Sequence, residues 1–507
     1  MNLNAYHTRS SGRRTALERI GVALVVLAIA IFFLATIREG TEGGDDDAMY
    51  ILHARNIVSG APYAETGYIL NPNYPGLGPE SYPPGYPLLL APLYAWQGLD
   101  LRAMKIQSAI FFIAFLAAYF ALVRRHLRYR WAMLALVATG LSPIFWAHKD
   151  NVSSDFAFLL FVFAGLSLFE WHGKERNRGA AGPVRGLGEE NRAEAGPVRA
   201  LAVSALLWFA AAVRSIGLVA IPAVIAADLI RLRTMRRFTV LVAVLTAALA
   251  LAQAMLFPGS GSYLERVWPI DPGVVWYNAL KYATAATGIW SNGYLPPVRL
   301  ALVAATGLLA AWTFARRLTS KATVLETFVL FYAAALLVFP GSAARYLFPL
   351  IPIFFFYLFI AVERLSRRLG PRGRVAALAF AAFVVLAVYA ARYTTVDFGP
   401  LGDQEERISA ERLYRRIADV TDRTDVLVAR RPRDLCLHTG RSASVYHDAP
   451  DRELWAYLEE IGADYLVLGP NDTERYRRFV ERSGGRLREV YRRRQHALLE
   501  VSYPERP

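Results

Sequence analysis

Three consecutive carboxylates, Asp45, Asp46 and Asp47, stand near the start of this 507-residue chain. They follow an apolar run at 20–37 and precede a helix-like, amphipathic stretch at 48–59. Aspartates at the end of a membrane span can take a proton from a hydroxyl group at the membrane surface. Two other roles stay open. Asp46 or Asp47 could simply be the N-cap of the helix, and a Ca²⁺ site would need a ligand spacing that this triplet lacks.

A second set of candidate residues lies at the ends of later apolar runs. His148, Lys149 and Asp155 lie between the third and fourth runs, where Asp155 could be a second carboxylate of the site or could cap the next helix. Arg214 and Arg345 are single arginines at span ends, and arginine can hold a phosphate group through two parallel hydrogen bonds. Snorkelling to the membrane interface is the alternative for both arginines.

An aromatic, proline-rich turn occupies 82–87, with the sequence Tyr-Pro-Pro-Gly-Tyr-Pro. Proline fixes its own φ and restricts the residue before it, so we expect a rigid turn in which Tyr82 and Tyr86 form an aromatic wall. The turn either serves the same site as the aspartates or only stiffens the loop.

Apolar residues make up 55% of the chain and charged residues 20%, but their distribution is more informative than their proportion. The apolar residues occur in blocks with the charges between them. Several blocks are shorter than the roughly 20 residues that cross a bilayer, although flanking aromatic and small residues can extend them. The sequence therefore predicts an α-helical polytopic membrane protein with about 11 transmembrane helices. The blocks are 20–37, 106–123, 131–147, 156–169, 200–213, 216–230, 238–257, 300–315, 324–340, 346–362 and 375–391.

Lysine and arginine are distributed unevenly between the loops. With a cytoplasmic N-terminus, the predicted inside segments hold 26 of these residues and the short outside segments hold nine. This bias predicts a multi-pass protein of the plasma (inner) membrane with a cytoplasmic N-terminus, and an odd number of spans makes the C-terminus extracytoplasmic. The net charge of +15 is then mainly a topology signal, so we expect no nucleic-acid partner. Cys436 is the only cysteine, which excludes an intramolecular disulfide.

The composition divides the chain into a membrane region at 1–391 and a soluble region at 403–507. Within the membrane region, 38–104 is the first outside loop and contains the aspartates, and 258–299 is a second large outside loop rich in tryptophan and tyrosine. Segment 173–199 is rich in glycine, glutamate and arginine and is expected to be a flexible cytoplasmic insertion. Helix-like and strand-like segments alternate in the soluble region and predict a small extracytoplasmic α/β domain.

Five short motifs occur in order along the outside loops. They are Asp46-Asp47 followed by Tyr50, the proline-rich turn at 82–87, Ser154-Asp155, Arg214, and Arg345-Tyr346 with Pro349. In this order the chain resembles, over roughly 20–390, the GT-C membrane glycosyltransferases. The branch it resembles most comprises bacterial relatives of dolichyl-phosphate-mannose protein mannosyltransferases and lipid A aminoarabinose transferases, including lipopolysaccharide-core galacturonosyltransferases. In this family the acidic pair is usually Asp-Glu, whereas this chain has three aspartates in a row. The spacing to Tyr50 favours Asp46 as the first residue of the pair.

The resemblance implies transfer of a sugar from a polyprenyl-phosphate donor to a hydroxyl of an extracytoplasmic glycan, lipid or protein, with inversion. Asp46 would be the general base. The implied catalytic residues are Asp46, Asp47 and Asp155; those for the donor phosphate are Arg345, Arg214 and Lys149; those for the acceptor or sugar are Tyr50, Tyr82, Tyr86 and His148.

A lipid-phosphate donor needs no nucleotide, so no Rossmann fingerprint and no cofactor are expected, and the sequence shows no such fingerprint. No residue is assigned to a metal site. The alternative class is a multi-span transporter or lipid flippase without transferase activity. The sequence shows no obvious inverted repeat and no acidic residue deep within a predicted span, which disfavours that class. A sensor would account for 403–507, but no segment of this sequence is suited to be its cytoplasmic output domain.

Overall fold

The structure is a computed structural model that describes residues 3–40, 45–74, 76–179, 189–257, 269–291 and 296–503. Parts of the predicted segments lie outside this description. They include the side chain of Asp45, residues 41–44 and 75 of the predicted first outside loop, residues 180–188 of the predicted cytoplasmic insertion, residues 258–268 and 292–295 of the predicted second outside loop, and residues 504–507 of the predicted soluble region.

Helices dominate the chain up to Tyr393. In chain order they are α1 (Leu3–Ala35), α2 (Asp45–Ser59), α3 (Gly85–Gln97), α4 (Leu101–Val123), α5 (Tyr129–Gly140), α6 (Pro143–His148), α7 (Asp155–Gly179), α8 (Glu189–Val213), α9 (Ala220–Leu232), α10 (Arg237–Leu256), α11 (Pro272–Ala286), α12 (Pro296–Lys321), α13 (Val324–Val338), α14 (Leu350–Ser366) and α15 (Gly370–Tyr393). Short 3₁₀ turns lie at Pro79–Ser81, Ser215–Val219, Thr287–Trp290, Ala344–Leu347 and Arg367–Leu369.

Helix boundaries follow from local sequence. Asp100 caps α4 by accepting a 3.0 Å hydrogen bond from the backbone N–H of Ala103. Thr323 and Glu326 form a capping box at the start of α13. The apolar run predicted at 131–147 is divided between α5 and α6, because Ser142 precedes a proline and adopts an extended conformation with ψ 125°.

Among the described residues, eight helical segments are long and apolar enough to cross a membrane. One of them, Leu350–Tyr393, is 44 residues long and contains both α14 and α15, whereas Val324–Val338 is a shorter apolar helix. The protein is therefore an α-helical polytopic membrane protein, as predicted, and the number of eleven spans stays a prediction. The segments are Ala16–Ala35, Leu101–Val123, Tyr129–His148, Gly196–Val213, Ser215–Leu232, Arg237–Leu256, Pro296–Lys321 and Leu350–Tyr393.

A cluster of phenylalanines joins the first helices at the end of the bundle where the aspartates lie. The ring of Phe112 on α4 contacts Phe33 of α1, Phe115 of α4, Phe145 of α6 and Phe156 of α7, with centroid distances between 4.8 and 5.7 Å. Such ring pairs stabilise packing beyond the burial of their area. The cluster therefore fixes α6, which ends at His148, and the start of α7 at Asp155.

One six-stranded sheet is formed by five strands of the C-terminal region and one strand of the loop 38–104, and the C-terminal region also contains four helices. The helices are α16 (Gln404–Val420), α17 (Pro432–Thr439), α18 (Asp451–Ile461) and α19 (Glu474–Arg482). The strands are β1 (Tyr68–Ile69), β2 (Val426–Val428), β3 (Ser442–Ser444), β4 (Ala463–Leu468), β5 (Leu487–Arg493) and β6 (His496–Val501). Their order is β1-β3-β2-β4-β6-β5, with the first four parallel and β6 antiparallel to both of its neighbours.

Strand β1 belongs to the loop 38–104, not to the segment 403–507. Tyr68 pairs with Ala443 and Ile69 with Ser444, and the Asn71 side chain donates to the carbonyl of Val445 at 2.8 Å. In addition, α17 packs against α2. The loop that carries the aspartates and the C-terminal region therefore share one sheet and one helical contact.

Candidate active site

Asp46 lies in the first turn of α2, where three distant segments of the chain meet. Its Oδ2 forms an ion pair with Nη2 of Arg345, in the 3₁₀ turn before α14. Its Oδ1 accepts a 2.6 Å hydrogen bond from the Tyr82 hydroxyl and lies 3.3 Å from Nη1 of Arg433, on α17. The Asp46 side chain is 26% exposed, so a small group can still reach its carboxylate.

The neighbouring aspartates Asp46 and Asp47 have opposite pKa shifts. Burial alone would raise the pKa of Asp46, but the charge of Arg345, the hydrogen bond from Tyr82 and the charge of Arg433 hold this pKa below its usual range. Burial raises the pKa of Asp47 to about 7, although the backbone N–H of Val152 donates to its Oδ2 at 3.0 Å. Asp46 is therefore the more acidic of the two carboxyls, and Asp47 keeps its proton to higher pH.

Asp155 begins α7 and is buried between a cation and an imidazole. Its Oδ1 forms an ion pair with Nη1 of Arg214, and its Oδ2 lies 3.1 Å from Nε2 of His148. The same imidazole nitrogen lies 2.7 Å from the hydroxyl of Ser153. Asp155 thus holds two other predicted site residues in position, which a solvent-exposed helix cap would not do.

The guanidinium groups of Arg214 and Arg345 flank a single aromatic ring. Their Cζ atoms lie 5.0 and 5.9 Å from the ring centroid of Tyr346. Each arginine also pairs with one aspartate, Asp155 for Arg214 and Asp46 for Arg345. The Nε of Arg345 is buried and has no hydrogen-bond partner among the described residues. Two planar cations arranged in this way can hold a phosphate group between them.

The three predicted tyrosines form one aromatic group, which contacts Asp46 through the hydroxyl of Tyr82. The ring of Tyr50 contacts Tyr82 and Tyr86 edge-on, at centroid distances of 5.4 and 5.0 Å. The Tyr50 hydroxyl lies 2.9 Å from the hydroxyl of Ser154, and the Tyr86 hydroxyl lies 3.0 Å from that of Ser108. Tyr86 is fully buried, so in this structure it supports the other rings and does not face a substrate.

Lys149 is not part of the cluster around Arg214 and Arg345. Its side chain is 0% exposed, its Nζ donates to Oδ2 of Asp150 at 2.7 Å, and it lies over the Trp146 ring at 4.3 Å. Asp150 also pairs with Arg38 at 2.7 Å. A fully enclosed ammonium group in an ion pair cannot contact a donor phosphate directly, so the structure gives Lys149 a place in this buried charge network instead.

A close backbone contact positions Arg214. A Cβ atom on Gly85 would lie 2.5 Å from the carbonyl carbon of Ala212 and 2.6 Å from the nitrogen of Val213, both backbone atoms near the end of α8. Only glycine permits this approach between the start of α3 and the segment that leads directly into Arg214. The proline-rich turn at 82–87 therefore fixes the position of the arginine as well as that of Tyr82.

Arg433 is a site residue that the sequence analysis missed. Its side chain is 8% exposed, and it donates to the Tyr82 hydroxyl at 2.7 Å and to the carbonyl of Leu77 at 2.8 Å, in addition to its contact with Asp46. It lies in an arginine-rich stretch, Ala429 to Asp434, that reads as an ordinary solvated surface. No periodicity or motif distinguishes this arginine from its neighbours.

A cavity of about 560 Å³ lies beside the contact between α2 and α17 and is lined by residues of both α2 and the C-terminal region. Asp47, Ala48 and Ile51 line one wall. The opposite wall includes residues that follow β2 and β4, the two neighbouring parallel strands from which the chain leaves in opposite directions. Ligands in open α/β sheets bind at this kind of switch point. Residues on this wall include Arg430, Arg431, Asp434, Gly469 and Asn471.

Among the described residues, no group of three or more histidine, cysteine, aspartate or glutamate side chains is arranged to hold a metal ion. No family model matches the sequence, and no curated protein matches it.

Solved structures do resemble this fold over most of the chain. The lipid A aminoarabinose transferase ArnT from Cupriavidus metallidurans, bound to undecaprenyl phosphate, superposes with a TM-score of 0.61 at 13% identity, covering 96% of this chain and 99% of that one. Its apo state gives a TM-score of 0.60 at 13% identity, with 98% and 100% covered. The oligosaccharyltransferase AglB from Archaeoglobus fulgidus, in complex with an inhibitory peptide and a dolichol-phosphate, gives 0.59 at 13% identity, covering 88% of this chain and 69% of that one.

The architecture is therefore that of the GT-C membrane enzymes, which the sequence motifs had indicated. At 13% identity the similarity defines the fold, and the activity has to be argued from the site itself.

Proposed function

We propose that this protein is a membrane glycosyltransferase that moves a sugar from a polyprenyl-phosphate donor to a hydroxyl group of an extracytoplasmic acceptor, with inversion. The observation that carries the proposal is the position of Arg345, which pairs with Asp46 on one side and shares the Tyr346 ring with Arg214 on the other. A phosphate-binding cation thus contacts a candidate base directly.

Arg214 and Arg345 are proposed to bind the donor phosphate. Both are held by carboxylates in this structure, so the phosphate would replace one charged partner with another instead of entering a site with unpaired cations. The side chain of Arg345 is 31% exposed, which leaves an approach for the phosphate. Arginine at these positions also stabilises the negative charge that grows on the phosphate as it leaves the sugar.

Asp46 is proposed as the general base. The acceptor hydroxyl would give its proton to the Asp46 carboxylate while its oxygen bonds to the anomeric carbon of the sugar. The bond between that carbon and the phosphate oxygen breaks, and polyprenyl phosphate leaves with the bonding electron pair. Asp155 would hold Arg214 and His148 in place, and Tyr50, Tyr82 and His148 would contact the sugar or acceptor.

The acceptor is proposed to approach through the cavity of about 560 Å³ between α2 and the C-terminal region. Asp47 lines that cavity and is adjacent to Asp46, so a hydroxyl entering there would arrive beside the base. Donor and acceptor would then reach Asp46 from different sides. The acceptor class is an envelope glycolipid, a lipopolysaccharide or a protein.

The fold shared with ArnT and AglB supports this proposal, since ArnT was solved with undecaprenyl phosphate and AglB with a dolichol-phosphate. The same proposal includes a transferase region at 1–391, with the N-terminus in the cytoplasm, and a C-terminal region at 403–507 on the outside of the inner membrane. The bias of lysine and arginine supports this orientation.

Two measurements test the function. Mass spectrometry of envelope glycans from a deletion strain should show the loss of one sugar, which identifies donor and acceptor together. The purified protein should then release polyprenyl phosphate from that donor only when the acceptor is present. An unchanged glycan profile together with no release would overturn the proposal, and movement of the lipid across the bilayer without cleavage would identify a flippase.

A further inference from the structure

We propose that the C-terminal region is part of the catalytic apparatus, and that Arg433 is a positioning residue that keeps Asp46 oriented when Arg345 turns to the donor phosphate. This inference rests on the proposed function and adds to it a role for residues 403–507.

The side chain of Arg433 makes direct contacts with three residues of the loop 38–104. Its Nη1 donates to the Tyr82 hydroxyl at 2.7 Å, its Nη2 donates to the carbonyl of Leu77 at 2.8 Å, and its Cζ lies 4.9 Å from the Tyr68 ring centroid. These contacts leave the side chain 8% exposed. Because both terminal nitrogens of this guanidinium donate hydrogen bonds to the loop, it cannot turn outward to bind an incoming substrate group.

Arg345 is the more accessible of the two cations on Asp46. It is 31% exposed, and it lies beside Tyr346 together with Arg214, where the donor phosphate is proposed to bind. When the phosphate engages Arg345, the Asp46 carboxylate loses part of its charge partner. Arg433 and Tyr82 then remain on Oδ1, so the base keeps one cation and one hydrogen-bond donor throughout the cycle.

The shared sheet explains how a residue of the C-terminal region can be placed with this accuracy. β1 of the loop pairs with β3, and the Ser444 hydroxyl donates to the carbonyl of Ile69 at 2.8 Å. Helix α17 connects β2 to β3 and packs on α2. Arg433 is the second residue of α17, after Pro432 at its N-terminal turn, so its position is fixed by both the sheet and the helix start.

The test is the pH dependence of sugar transfer by full-length protein in lipid nanodiscs. The charged and titratable groups that face Asp46 among the described residues are Arg345, Arg433, Tyr82, Tyr50 and Asp47. Arg433→Met removes one positive charge, so the acid limb of kcat should move to higher pH by about one unit, which lowers kcat about tenfold at a pH on that limb. Arg433→Lys keeps the positive charge but not the planar set of guanidinium donors. It should restore the position of the acid limb, with a kcat between those of the wild type and Arg433→Met.

Arg441→Met is the matched control. Arg441 belongs to the same region but donates within it, to the carbonyls of Ala418 and Thr421 at 2.9 and 2.8 Å. The Arg441→Met substitution should lower the thermal stability of the protein without moving the acid limb of kcat. An acid limb in Arg433→Met identical to that of the wild type would overturn the inference while leaving the transferase intact. If wild-type protein transfers no sugar, the proposed function itself fails.

Discussion

Asp46 and Arg345 lie 299 positions apart in the sequence and form a direct ion pair. The pair brings the loop 38–104 against the turn that precedes α14, and Tyr346, the next residue, contacts Arg214 in addition. The proposed binding of a phosphate and the proposed activation of a hydroxyl would thus be joined through one side chain.

Replacing Asp46 with asparagine should lower sugar transfer by about 10²-fold or more, because the amide keeps the size of the carboxyl but cannot accept a proton. Folding, measured by size-exclusion behaviour and thermal unfolding, should be retained. Asp47→Asn should have a smaller effect on kcat. If Asp46→Asn is active and Asp47→Asn is dead, the assignment of the base moves by one residue.

The pH profile should distinguish the two aspartates without mutation. A general base works only when deprotonated, so the rate rises with pH through its pKa. Asp46, whose pKa is held below its usual range, should give a rate that changes little between pH 6 and 8. If Asp47 is the base, its pKa of about 7 requires a rise of about tenfold over that interval. A steep profile that Asp47→Asn flattens would contradict the Asp46 assignment.

Arg345→Lys should lose much of the affinity for polyprenyl phosphate, and Arg345→Ala should lose more, because lysine offers a point charge in place of two parallel donors. Binding of undecaprenyl phosphate to the purified protein measures this directly, without an acceptor. Arg128→Ala is the control, since Arg128 is largely exposed and pairs with Glu363 away from the site. Wild-type lipid affinity in Arg345→Ala would make Arg345 an interfacial anchor and leave Arg214 as the phosphate ligand.

Gly85→Ala should destabilise the protein by about 1–3 kcal/mol and lower transfer, because the new Cβ would overlap the backbone at Ala212 and Val213. Thermal unfolding in detergent and kcat together measure the effect. Gly196→Ala is the matched substitution, since a Cβ there meets nothing within 4 Å and alanine favours the helix. Equal stability of the two variants would exclude a close approach at Gly85.

Topology reporters test the predicted orientation. Fusions after residues 127, 234 and 370 should report the cytoplasm, and fusions after 75, 280 and 507 should report the outside. A cytoplasmic signal at residue 507 would contradict an odd number of spans. It would also separate the C-terminal region from the side on which the proposed transfer takes place.

Much of the fold could be predicted from sequence because its determinants are local. Blocks of apolar residues indicate membrane helices by length and composition alone, and the alternation of helix-like and strand-like segments predicts the α/β character of the C-terminal region. Helix α17 and strand β3 were missed. Proline and capping residues explain where several helices begin. The division between α5 and α6 was missed, although Pro143 is visible in the sequence.

The site was predictable only in part. Asp46, Asp155, Arg214 and Arg345 could be selected because a charged residue at the end of an apolar run is conspicuous, and the structure brings all four together. Lys149 satisfied the same criterion but is enclosed with Asp150. Position at the end of a span does not determine which neighbours a side chain will have.

The sequence by itself determined the class of protein, the helical segments and most of the candidate polar residues, since these depend on composition and short-range order. Only the tertiary structure decided which charges meet. Arg433 reaches Asp46 because β1, a two-residue strand of a distant loop, joins the C-terminal sheet. A contact between residues 387 positions apart leaves no periodic or local signal, because it is set by the packing of the elements that carry them.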